Sequence, residues 1–324
     1  MRMKRRKKRG KAIAWLILTL SLCAMAIAGI QLFEVWNTYQ EGNEGYEQLI
    51  KRVRPGGLPM GSERYEQPTG GERPDGLAGS ESCGRPIYGD TPDMPPMGNE
   101  PYEQWTAGDH PVERPAFQAS GASGGHARVK MIDVPDMSID FTVLQTVNHD
   151  AVAWLYCPGT AVDYPVVRAT DYDYYLHHLP DGTANANGSL FIDYNWVDFT
   201  DQLLIVYGHN MKSGRMFGSL TNYKKQAYFV AHPYLYLYSA EGENYRVDLL
   251  YGCVIGAGQW RERAFMFKEN IDSLLAYAAY NTTFKSHAQY EKGDKIIALS
   301  TCSYEFNDAR YIVIGVLRPE YGDD

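Results

Sequence analysis

Lys295-Ile296-Ile297-Ala298-Leu299-Ser300-Thr301-Cys302, then Ser303-Tyr304-Glu305-Phe306-Asn307-Asp308-Ala309, then Arg310-Tyr311-Ile312-Val313-Ile314-Gly315-Val316-Leu317, is the stretch from which the fold is read. Two β-branched apolar runs bracket a polar segment carrying Asn-Asp, which reads as a hairpin of two strands. Side chains alternate along a strand, and opposed residues of an antiparallel pair share a face. A hairpin symmetric about Phe306 therefore sets Cys302 opposite Arg310, both pointing the same way. A neighbouring guanidinium favours the thiolate, the nucleophilic form of cysteine. The same parity puts Ser300 on the face of Cys302 and turns Thr301 away, although both are also ordinary strand residues. Taken alone, the pair is explained as well by a buried small hydrophobe beside an edge charge.

A second motif separates these readings. Tyr207-Gly208-His209-Asn210-Met211 follows the apolar run Leu203-Leu204-Ile205-Val206, so His209 stands just past a strand, in a Gly/Asn turn that presents it to a cleft. An imidazole beside a thiol is the equipment of nucleophilic acyl transfer: it partners the thiolate and protonates a leaving amine. The candidate catalytic set is His209, Cys302 and Arg310. Ser300, Thr301 and Asn210 are candidate substrate contacts.

With these residues in order, the chain resembles the sortases, and within them class B. The resemblance rests on Leu299-Ser300-Thr301-Cys302, on Arg310 eight residues later at the head of the last strand, and on Tyr207-Gly208-His209-Asn210-Met211. It extends from Phe141 to Leu317 through Ala153-Trp154-Leu155, Val162-Asp163-Tyr164-Pro165-Val166-Val167 and Gly188-Ser189-Leu190-Phe191-Ile192-Asp193. Each string is weak and the ordered set is strong. The chain departs at Ala298, where the family commonly has threonine, which bears on fine substrate contacts rather than on the chemistry.

The resemblance implies an all-β dominated fold, a closed sortase-type barrel of about eight strands with flanking helices, one of them inserted between the sixth and seventh strands beside the substrate groove. It implies a cysteine transpeptidase in which Cys302 attacks the threonine carbonyl of a sorting motif like Leu-Pro-X-Thr-Gly or Asn-Pro-X-Thr-Asn in a secreted protein. His209 moves the proton and Arg310 steadies the oxyanion. The acceptor is an amine of a peptidoglycan precursor or of a pilin subunit, in a Gram-positive envelope, with no metal or organic cofactor. A membrane-tethered thiol protease accepting water, or a non-catalytic surface scaffold, are the competing functions.

Residues 1–11 hold eight of the 31 basic residues and no acids. Subtracting those eight leaves 23 against 39 acidic residues, a formal charge of −16, which argues against nucleic acid as a partner. The basic run abuts Ala12 to Phe33, an uncharged stretch long enough to cross a hydrocarbon core of about 30 Å. It exceeds the apolar core of a cleaved signal, so it reads as a single-pass anchor with a cytoplasmic N-terminus and the catalytic part outside. The expected organisation is a basic cytoplasmic tail 1–11, a transmembrane anchor 12–33, a linker 34–128 that continues the helix for a turn or two after Glu34 and is Pro/Gly-rich and disordered from Arg54, and a catalytic domain 129–324.

Five cysteines, Cys23, Cys83, Cys157, Cys253 and Cys302, show no spacing of a zinc site or disulfide framework. A Cys157 to Cys253 bridge is open at this level, and Cys302 is expected as a free thiol. His177-His178 reads as a strand pair pointing to opposite faces, poor geometry for chelation. Asp193 either orients His209 or caps a turn. Phe141 to Val147 reads as a short helix, as do residues 218–228 and Asn270 to Thr283, the last with Ile271, Leu274, Leu275 and Ala278 on one stripe.

Overall fold

The computed structural model describes residues 2–57, 134–260 and 270–320, with side chains from residue 15 onward. Most of the expected linker, from residue 58, and Cys83 lie outside the described residues. Eight strands close into a barrel. They are β1 (Ala151–Tyr156), β2 (Asp163–Arg168), β3 (Leu190–Ile192), β4 (Leu203–Tyr207), β5 (Tyr234–Ser239), β6 (Asn244–Gly256), β7 (Ile296–Cys302) and β8 (Ala309–Pro319). Around the barrel the order is β1-β2-β3-β4-β7-β8-β6-β5, with β5 pairing back onto β1. The β2/β3 and β4/β7 pairs are parallel and the rest antiparallel.

The strands read as near-continuous apolar runs because both barrel faces are covered. The lumen is filled by Leu155, Val166, Ile192, Val206, Leu237, Val247, Leu299 and Val313. On the outside, helix α4 (Ile271–Tyr280), N-capped by Asn270, lays Ile271, Leu274, Leu275 and Ala278 on Ile205, Ala298, Ile312 and Ile314. On the other flank, α1 (Arg2–Val53) and α2 (Phe141–Val147) bring Leu49, Val53 and Leu144 onto Trp154, Tyr156, Val167 and Phe191. Each fully buried Val, Leu, Ile or Phe among them is worth about 1.5–3 kcal/mol.

Three expectations are corrected. Residues 34–53 are not linker but the continuation of α1, whose last turns join the core because Tyr46, Leu49 and Val53 are buried. Just past its end, Arg54 is 3% exposed and forks onto the Asp163 carboxylate at 2.6 and 3.0 Å, with Trp154 donating to the same group at 2.7 Å. Residues 218–228 divide into a 3-10 segment, Gly218–Lys224, and α3 (Gln226–Ala231), separated by the extended Lys225. His177 and His178 follow a 3-10 turn, Tyr174–Leu176, instead of lying in a strand. His178 stacks on Tyr174 with centroids 4.0 Å apart, and His177 stands 3.7 Å from Asp173.

Candidate active site

Register brings the motifs together. In the β7/β8 hairpin Cys302 is paired with Arg310. Ser303 N–H donates to Ala309 O at 2.8 Å, so positions 303 and 309 form the hydrogen-bonding pair and Cys302/Arg310 the neighbouring non-bonded pair, where opposed side chains come closest. On the other side of β7 the parallel pairing with β4 aligns Tyr207 with Ser300. Carried two residues further, that alignment sets His209 level with Cys302. Three hydrogen bonds keep the strand ends together there: Gly208 N–H to Ser300 O at 3.2 Å, Thr301 Oγ1–H to Gly208 O at 2.8 Å, and Asn210 Nδ2–H to Cys302 O at 2.7 Å. His209, Cys302 and Arg310 thus form a row across β4, β7 and β8, where neighbouring strands run about 4.8 Å apart. Their parity is that of Ile205, Ala298 and Ile312, which face α4 on the outside of the barrel.

Each member of the row is half-buried. The thiolate of Cys302 is its nucleophilic form. Arg310 Nη1 donates to the Ala309 carbonyl at 3.1 Å, which holds the guanidinium at the hairpin mouth. Ser300, on the face of Cys302, is 1% exposed and its Oγ has no hydrogen-bond partner among the described residues. Thr301 and Asn210, expected at the substrate, are engaged in joining the two strands.

His209 Nε2 lies 2.7 Å from Leu176 O. A carbonyl only accepts, so Nε2 carries a proton in every charge state and Nδ1 is the nitrogen that gains and loses one. Burial holds the imidazole pKa below its ordinary 6.5, against the raising effect of the Leu176 bond and with His177 adding to the lowering. Asp193 belongs elsewhere. Its carboxylate accepts from Tyr172 at 2.8 Å, from Tyr207 at 2.9 Å, and from Asn195 N–H at 3.0 Å in a turn. Of the two open readings, the turn cap is the one observed, and the group that orients His209 is a backbone carbonyl. Sequence reading had no signal for Leu176, because any residue supplies the same atom.

Beside the row lies a pocket of about 300 Å³ lined by Asn210, Thr221, Lys224, Ser303, Tyr304 and Glu305. Lys224 pairs with Glu305, donates to Ser303 Oγ at 2.8 Å and sits 5.0 Å over the Tyr311 ring. Ser303 and Tyr311 face opposite to Cys302, so this network braces the hairpin from the barrel mouth. Cys157 and Cys253 are both free and buried. Burial pushes their thiols up to about 11 and about 12, which makes them inert packing residues. Among the described residues no cluster of three His, Cys, Asp or Glu side chains is arranged to hold a metal ion.

Comparison with known proteins bears on the family and the fold. The chain is 35% identical over 179 residues to a sortase B of Listeria monocytogenes, covering 54% of this chain and 72% of that one. Among solved structures, a Clostridium perfringens sortase B is similar at a TM-score of 0.51 and 28% identity, over 55% of this chain and 99% of the other. A Streptococcus pyogenes class B sortase involved in pilus biogenesis gives 0.50 and 25%, over 55% and 97%. No family model matches.

Proposed function

The chain belongs to the class B sortases, and from that premise we propose that it is a membrane-anchored transpeptidase whose reacting groups are Cys302, His209 and Arg310. The observation that carries the assignment is the row these residues form across three neighbouring strands. In the reduced enzyme, the Cys302 thiolate adds to the threonine carbonyl of a Leu-Pro-X-Thr-Gly-like or Asn-Pro-X-Thr-Asn-like motif, and the thiol proton resides on His209 Nδ1. Arg310 donates hydrogen bonds to the oxyanion of the tetrahedral adduct, a task suited to a fixed fork of donors. Collapse breaks the C–N bond as Nδ1–H protonates the departing amine, leaving a thioacyl enzyme and a neutral imidazole. The incoming amine adds to the thioester and gives its proton to Nδ1. The C–S bond then breaks, and the proton is available to the thiolate for another cycle.

Burial suits His209 to this shuttle, because it favours the neutral imidazole that must receive each proton. The acceptor in this reading is an amine of a peptidoglycan precursor or a pilin. Anchoring is supported by α1, the one described helix long and apolar enough to cross a membrane, whose side chains from Trp15 to Phe33 are exposed. The test uses the full chain in detergent, under reducing conditions, with quenched peptides carrying each motif and a nucleophilic amine. Cleavage after threonine, with the amine joined to it and the product absent for Cys302→Ala, is the expected result. Hydrolysis at a rate and product indifferent to the amine would make the protein a thiol protease instead.

A further inference from the structure

The segment between β2 and β3 supports His209 twice. Leu176 O accepts from Nε2, and Gly188 lies against the ring: a Cβ built on it would stand 3.0 Å from His209 Cδ2 and 2.7 Å from the carbonyl oxygens of both Tyr175 and Leu176. Gly188 holds φ +59, a conformation that costs glycine little. The position therefore requires glycine on two independent grounds, its left-handed backbone and the lack of room for a Cβ between the turn carbonyls and the imidazole.

The other side of the same loop is clamped to helix α1. Tyr46, 3% exposed, donates its hydroxyl proton to Gly188 O at 2.6 Å. Asn185 Nδ2–H donates to the Thr38 carbonyl at 2.8 Å, and Asn187 Nδ2–H to the Tyr39 carbonyl at 3.3 Å and to Asn43 Oδ1 at 3.2 Å. Gly42 allows this approach, since a Cβ there would fall 2.4 Å from both Asn185 Oδ1 and Asn187 Nδ2. From helix to imidazole the path is one residue long: Tyr46 hydroxyl, Gly188, His209 ring.

We propose that Tyr46 is a positioning residue for His209, so that the Thr38–Tyr46 face of the anchor helix is a working part of the active site. The proposal rests on the reading of His209 as the proton carrier. With the Tyr46 hydroxyl gone, the buried Gly188 carbonyl loses its donor, the loop relaxes from the ring, and the bond that fixes Nε2–H on Leu176 is no longer held in place. Nδ1, the nitrogen that gains and loses the proton, is then no longer held in one orientation. The helix is unbroken from its apolar segment to this contact, and the 13 residues from Phe33 to Tyr46 span on the order of 20 Å. The histidine loop is thus mounted directly on the anchor.

The test is made on the reduced full chain in detergent with peptide and amine. Tyr46→Phe is expected to lower kcat by about 10- to 100-fold, the cost of a small misplacement of a reacting group, with KM for the peptide unchanged. The acid limb of the rate profile should also move up toward the ordinary histidine value as water reaches the ring. The titratable groups around that ring are His177 on the turn, Cys302 level with it on β7 and Arg310 beyond on β8, and the substitution alters none of them. Gly42→Ala, which pushes Asn185 and Asn187 off the helix without touching Tyr46, should reproduce the kinetic change. Arg54→Met breaks the attachment of the same helix at Asp163; it should lower Tm and leave kcat and the acid limb in place. If Tyr46→Phe behaves like Arg54→Met, the proposal is overturned. Full activity in His209→Ala would overturn the catalytic reading and the proposal with it, whereas an inactive His209→Ala beside an unaltered Tyr46→Phe would overturn the proposal alone.

Discussion

His209 carries the most physical tension of any residue in the row: it is half-buried among strand ends yet must bind and release a proton. Burial makes the imidazolium unfavourable, so the folded protein takes up that proton only below the ordinary 6.5. The unfolded chain binds it at the higher pH. The stability His209 confers is therefore complete above about 6.5 and is lost as pH falls through the lowered folded value. Thermal melts between pH 7 and pH 5 should show a smaller drop in Tm for His209→Gln, which cannot titrate, than for the wild type; equal slopes would mean the ring is not held neutral. At this scale the sequence was legible where strand parity governs. Cys302 faces Arg310, and Thr301 is turned away from them onto the Gly208 carbonyl. It was silent where the partner is main chain, as at Leu176 O, and it left Asp193 undecided because a carboxylate near a histidine in sequence has several other donors to satisfy in space.

Among the elements, the strands and α4 were readable because their apolar residues follow the period of the structure they form, with Ile271, Leu274, Leu275 and Ala278 buried as the helical stripe requires. The extent of α1 was not. Its docking face from Thr38 to Asn43 offers backbone carbonyls and a glycine to Asn185 and Asn187, an attachment with no apolar period to detect. The attachment ends in an ion pair whose arginine is almost wholly enclosed and whose carboxylate is 20% exposed. Removing one partner from such a pair strands the other charge, at a cost of about 3–5 kcal/mol. Asp163→Ala should therefore lower stability by that amount in denaturant titration. The double replacement Arg54→Met with Asp163→Leu should recover much of it, because no charge then remains buried. A loss under 1 kcal/mol for Asp163→Ala would mean that solvent reaches Arg54 and that the end of α1 is loosely held.

For the molecule as a whole, the composition from Arg54 to about Arg128 suggested a domain that begins near 129 and is held to its anchor by flexible chain, with only a turn or two of helix after Glu34. The packing contradicts this for the segment ending at Arg54, and the consequence can be measured. Val53 and Leu49 lie against the outer face of the barrel that carries Trp154, Tyr156, Val167 and Phe191, while Tyr46 packs edge-on to Tyr164, with ring centroids 5.0 Å apart. A fragment starting at residue 129 would leave this face bare, an apolar patch flanked by the unpaired Asp163 and by the orphaned carbonyl of Gly188. Adding residues 38–57 as a separate peptide would restore the missing groups without restoring the covalent connection. The fragment alone should therefore melt at lower temperature and self-associate in sedimentation, and the peptide should raise its Tm in a concentration-dependent way, since a ligand that binds only the folded state stabilises it by mass action. A fragment as stable and monomeric as the full chain, and indifferent to the peptide, would return α1 to the status of a tether. It would also remove the physical basis for coupling the anchor to His209, because a helix whose absence the barrel does not register cannot hold a loop in place.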